Sequence, residues 1–167
     1  MTESRKTVEV TNEELLIIET RLNHLKKLQV VRVAHAVVRN LAIIRPMVKA
    51  LKAANVPSKE YLEFENRRVA LLNQMADSDP VTMKPLMMGN TYVVRERKDE
   101  FESAMVELRE EFDPVIKIKE KADDDYQELL KETVQFEPYM LDFEELPEDV
   151  SGTDLDYLTW MVREPTS

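Results

Sequence analysis

Apolar residues recur at steps of three and four along most of this chain, and the elements they predict are helices. Thr11 with Glu14 forms a capping box, after which Leu15, Ile18, Leu22, Leu25 and Leu28 hold one stripe. From Val30 to Ala54 the chain is apolar around most of a helical circumference, which marks that stretch as the most buried. Pro46 lies inside it and predicts a kink. One helical span over about 11–54 is therefore expected. Asn55 and Pro57 punctuate the chain, and Ser58 caps a helix over 58–76 that carries Leu62, Val69, Leu72 and Met75.

The period then fails. Asp79-Pro80, Lys84-Pro85 and Gly89-Asn90 are turn signals, so 77–95 reads as a loop, with a short strand at Thr91 to Val94. Over 96–132 the longest stripe of all appears, from Phe101 through Leu108, Phe112, Val115 and Ile118 to Leu129. It stays in phase across Asp113-Pro114, which gives one kinked helix or two helices restarted there. Beyond Glu132 the period drops towards two, with Val134, Phe136, Pro138 and Met140 alternating against Gln135, Glu137 and Tyr139. That is an extended arm over 133–150, or an edge strand. Thr153 and Asp156 are read as capping a last helix over 153–162. The expected fold is mainly α, one domain over 1–167. Its centre is a long antiparallel helical hairpin of coiled-coil character with a kinked central helix. A minor extended or β arm and a short C-terminal helix complete it.

Composition sharpens this picture. Only two glycines in 167 residues disfavour a sheet-rich fold, which needs glycine at turns and bulges. Nine methionines against five phenylalanines indicate surfaces tolerant of repacking. With no cysteine, disulfides and thiolate metal sites are excluded. The apolar runs, Leu41 to Ile44 among them, are far shorter than the roughly 20 residues that cross a bilayer. The polar first residues resemble no export signal. A soluble protein without membrane contact is expected.

Charge is sorted along the chain. Thr20 to Lys59 holds nine basic residues and no acid; Glu132 to Val162 holds nine acids and no base. The candidate basic cluster is Arg32, Arg39, Arg45, Lys49 and Lys52. The candidate partner-binding residues are Asp142, Glu144, Glu145, Glu148 and Asp149, with Trp160 as a docking plug or as the closure of its own core. Three readings follow. The arm folds back over the basic helices, within the chain or onto a neighbour; the arm meets a basic partner; or the basic helix meets nucleic acid. The last is disfavoured by the net charge of −10 and by the lack of interleaved aromatics.

Signals for chemistry are weak. His24 and His35 stand three helical turns apart, where they share a face if one helix carries both, but no third ligand accompanies them. Asp123, Asp124, Asp125 and Glu128 lack the glycine turn and spaced oxygens of a calcium loop and read as a solvated helix face. No glycine-rich phosphate loop or nucleophile elbow is present. No enzyme, metal or cofactor is expected.

The stretch VAHAVVRNLAIIRP from Val33 to Pro46, with Ala36, Arg39 and Asn40 in an A-x-x-x-[RK]-N pattern, resembles small acidic helical proteins encoded by phages and prophages. Glu145-Leu146-Pro147 through Val150-Ser151, then Asp154-Leu155 and Leu158, resembles their closing segment. The order of features covers most of the chain, while Pro57 breaks a helix that the resemblance would make continuous. The resemblance implies a viral origin and carries over no site residue. The expected function is a non-enzymatic interaction protein that self-associates or binds another phage protein in virion structure or assembly. The alternative is an inhibitor of a basic, nucleic-acid-binding host protein, with the arm as a polyanion mimic. The host cytoplasm or the virion is the expected location.

Overall fold

Residues 6–28 and 30–163 are described by the computed structural model; the polar first residues behind the export reading lie outside it. The N-terminal half runs β1 (Val8–Thr11), α1 (Asn12–Leu25), α2 (Val31–Ala54) and α3 (Lys59–Met75). There follow β2 (Met87–Met88), β3 (Thr91–Tyr92), α4 (Lys98–Glu111) and α5 (Asp113–Lys131). The last elements among the described residues are β4 (Thr133–Phe136), β5 (Leu141–Asp142), α6 (Gly152–Leu158) and β6 (Val162–Arg163). The mainly helical class, with small strand pieces and a short C-terminal helix, is as the periodicity predicts. The chain divides into two compact units, one formed by residues up to Asn55 and from Asp125 onward, the other by Val56–Asp124.

In the first unit the expected helical span 11–54 is two helices. The amide of Leu28 donates to the carbonyl of Leu25 at 3.0 Å, and Val30 is extended (φ −85°, ψ 113°), so the helix stops and restarts. The break has a packing cause. One straight helix could not bury Leu15, Ile18 and Leu22 against Val37, Leu41 and Ile44, whereas a turn brings both stripes into one core, where all six are buried. The Thr11 capping box is present: Glu14 N donates to Thr11 Oγ1 at 3.1 Å, and Thr11 N donates to Glu14 Oε2 at 2.7 Å. α2 continues through Pro46, which occupies an exposed position where water can serve the released carbonyl.

β1 pairs antiparallel with β4, placing Val8 opposite Phe136 and Val10 opposite Val134 on the core side. Glu9 faces Gln135 on the other side of the ribbon. β5 and β6 pair in parallel, Leu141 with Val162. The cap of α6 is Ser151, not Thr153: Asp154 N donates to Ser151 Oγ at 3.1 Å. The same Ser/Thr-x-x-Asp spacing occurs at 151–154 and 153–156, and the earlier start adds helix to a very short element.

In the second unit, Ser58 caps α3 by accepting from Tyr61 N at 3.1 Å. The stripe over 96–132 is carried by two helices, the restart reading, with Phe112 outside helical geometry (φ −101°, ψ 11°). Pro114 lies in the first turn of α5, where a missing N–H costs nothing. Phe64, Leu108 and Phe112 are the buried hydrophobic residues of this unit, joined by half-buried Tyr61, Met105, Val115 and Ile116. Arg67 makes a two-pronged salt bridge to Glu111 with its guanidinium 5.2 Å from the Phe112 ring. The 77–95 loop is well tied. Asp77 Oδ1 accepts from Arg95 N and Glu96 N, and Asp79 Oδ1 accepts from Val81 N and Thr82 N.

Candidate functional site

The acidic arm folds back onto α1 and α2 within the chain, and its seat is built on an asparagine. Asn40 is fully buried on the apolar face of α2 between Val37 and Leu41. Its Oδ1 accepts from Tyr139 N at 2.7 Å, while its Nδ2 donates to Tyr139 O at 2.9 Å. The side-chain amide thus stands in for a neighbouring strand, serving both backbone groups of one arm residue. Nδ2 also lies 3.1 Å from Met161 Sδ, so the same residue touches the arm and the segment that follows α6. Asn12 acts in a related way at the end of α5. Its Nδ2 donates at 2.8 Å to Leu129 O, which also accepts from Glu132 N at 3.2 Å, and its backbone N donates to Glu132 O at 2.9 Å, so it serves the carbonyls at the helix end.

The basic helices meet the arm and α6 through one tyrosine ring on each. His35 stands edge-on to Tyr139 at 5.2 Å, and the Arg39 guanidinium lies 6.0 Å from the same ring. One helix earlier, Arg21 lies 4.8 Å over Tyr157 and His24 meets that ring edge-on at 6.1 Å. Each tyrosine is gripped by one histidine and one arginine from consecutive turns of a single helix. Carboxylates contribute less, with Arg32 to Glu145 at 3.6 Å and His24 Nε2 to Asp154 Oδ1 at 3.7 Å.

The sequence-predicted site residues therefore separate. Trp160 is half-buried and edge-on to Phe136 at 5.7 Å, packed against the core of its own unit. Asp142 pairs with Arg163 at 3.0 Å, and Lys52 with Glu19 at 2.8 Å. Glu144, Glu148 and Asp149 are exposed, as are Arg39, Arg45 and Lys49, and among the described residues these six make no ion pair. The histidines do not share a helix, since His24 is on α1 and His35 on α2, the chain having turned between them. Among the described residues no cluster of three His, Asp or Glu could hold a metal. Asp123 pairs with Lys119, both half-buried, and Glu128 pairs with Lys131 at an exposed position.

The ring grip and the two asparagines were missed from sequence. A signal existed for each: an asparagine set in an apolar stripe, and His/Arg pairs at i,i+3 and i,i+4. No described helix is long and apolar enough to cross a membrane.

A scan against family models, a search of curated proteins and a search of solved structures each returned no match.

Proposed function

We propose that this chain acts by protein–protein contact, associating with further copies of itself, in the setting of a virus particle or its assembly that the resemblance implies. The observation that carries the reading is the thin core of the second unit. Its buried hydrophobic residues, Phe64, Leu108 and Phe112, are few for helices of 14 to 19 residues that are marginal without packing. Meanwhile Leu62, Val69, Val106 and Ile118 on the same helices are exposed, Ile118 at 69%. α5 has an apolar stripe and no buried residue. Helices patterned for packing and left half-packed gain stability when another copy covers them. The open depression of about 420 Å³ beside Val106, Arg109, Glu110 and Asp113 has a charged rim, unlike an enclosed apolar ligand site.

Sedimentation equilibrium of the wild type and of Val106→Asp/Ile118→Asp tests this. Association of the wild type at micromolar concentration, weakened at least tenfold in the variant with its far-ultraviolet spectrum unchanged, is expected. A wild type that stays monomeric up to 100 μM, or a variant that associates equally well, overturns the reading.

A further inference from the structure

Folding the arm back neutralises the charge sorting only in part, and the remainder is left at two separate places on the first unit. The arm runs against α2 in the opposite sense, Tyr139 lying at Asn40 and Glu145 at Arg32. The acids on either side of Glu145 therefore gather towards the N-terminal end of α2, and Glu144, Glu148 and Asp149 are exposed and make no ion pair among the described residues. Arg45 and Lys49 stand 13 and 17 positions beyond Arg32, about 20 and about 26 Å along the helix axis. They too are exposed and without an acidic partner among the described residues. Such a separation exceeds the Debye length of about 8 Å at physiological salt, so the two ends do not neutralise each other within one chain.

We infer that the Arg45–Lys49 end of α2 in one copy docks onto the Glu144, Glu148 and Asp149 patch of the next, head to tail. The fit is one of charge. The cations sit on an acidic protein of net charge −10, for which the most abundant acidic surface is another copy. Apolar Val38, 55% exposed, shares this helix, a composition suited to a protein face more than to a phosphate backbone. Two different patches on one unit make a heterologous contact, which closes into rings or propagates as filaments. This rests on the self-association reading but uses the first unit, so with the apolar contact of the second unit it builds assemblies larger than a dimer.

The test is sedimentation velocity at about 50 and 500 mM salt on four forms: wild type, Arg45→Glu/Lys49→Glu, Glu144→Lys/Glu148→Lys/Asp149→Lys, and the two variants mixed. Species larger than a dimer in the wild type at low salt are expected. They should be lost at high salt and in each variant alone, and restored in the mixture of the two. Unchanged association across salt and variants overturns the head-to-tail contact while leaving the apolar one standing; a monomer throughout overturns both. A duplex DNA probe shifted by the wild type and not by Arg45→Glu/Lys49→Glu assigns the basic end to phosphate and overturns the proposal. Circular dichroism of each variant guards against loss of fold.

Discussion

The side-chain amide of Asn40 holds both the N–H and the C=O of Tyr139, a residue 99 positions later in the chain. A buried amide that meets two backbone groups at 2.7 and 2.9 Å does in one residue what a strand pair does with two. Asn40→Ala removes both bonds and leaves the Tyr139 backbone groups to find water or go unpaired, at roughly 1–3 kcal/mol for each group stranded. The unfolding free energy read from a urea titration should fall by an amount in that range, with a lower midpoint and an unchanged slope. Asn40→Asp keeps the acceptor, turns a carboxylate towards the Tyr139 carbonyl, and should be no better than alanine. A midpoint that does not move in Asn40→Ala would show the amide contributes nothing.

Because the arm is seated by Asn40, the apolar core and the tyrosine rings, its attachment should be nearly indifferent to salt. Exposed ion pairs are worth about 0–1 kcal/mol and are screened, whereas buried apolar area is not. At a concentration low enough to keep the chain monomeric, urea midpoints in 50 and 500 mM sodium chloride should agree within error. Arg21→Ala, which strips the guanidinium from the Tyr157 ring, should cost about 0.5–1 kcal/mol in either salt. A large loss of stability on adding salt would instead mean that the carboxylates hold the arm.

Sequence pattern conveyed the helices well and their ends less well, for a physical reason. A 3.6-residue period reports which residues seek a common core and says nothing about whether one helix or two deliver them there. Leu15 to Leu28 and Val31 to Leu51 stay apolar across a turn that exists only because both stripes need the same interior. Phe112 breaks helical geometry yet remains in phase, so the break is invisible in the stripe. β1 was hidden because Thr11 is at once the last strand residue and the cap of α1. Val8 and Val10 are too few to display alternation without β4 beside them. The charge sorting was plain, but its use was not. Net charge along a segment cannot reveal that His35, Arg39, Arg21 and His24 address rings, since that depends on where two distant tyrosines arrive.

The loop between α3 and α4 offers a pair of opposite substitutions. Met83 has φ 56° and Gly89 has φ 60°, both in the left-handed region. Met83 is 75% exposed, so its side chain has little packing to lose, and a methyl built on Gly89 would meet nothing within 4 Å. Backbone conformation alone therefore decides both. Left-handed geometry costs an ordinary residue roughly 1–2 kcal/mol. Gly89→Ala should destabilise the loop by about that amount, and Met83→Gly should stabilise it, less the entropy that glycine adds to the unfolded chain. Hydrogen exchange of the Val93 amide, which donates to Leu86 O, reads both changes: faster in the first and slower in the second.

Acid should loosen the second unit at two carboxyls, Asp79 and Glu111. The backbone amides of Thr82 and Val81, with the Thr82 hydroxyl, hold the Asp79 carboxyl below its ordinary 3.8. The hydrogen bond from Arg67, helped by its charge, holds Glu111 below 4.5. Both carboxyls are depressed in the folded chain, so the unfolded chain binds their protons first as pH falls. Their stabilising contribution is complete above about pH 5 and is lost as the pH drops through the ordinary values towards the lower folded ones. Exchange at Val81 and Thr82, and at Phe112 whose amide donates to Leu108 O, should therefore rise between about pH 5 and pH 3, after correction for the intrinsic rate. Asp79→Asn and Glu111→Gln should each flatten the rise at its own site and leave the other intact. The Tyr139 amide, held by an asparagine that does not titrate in this range, should show no such step. A uniform rise at all these amides would mean that the chain opens as a whole and that neither carboxyl governs its own neighbourhood.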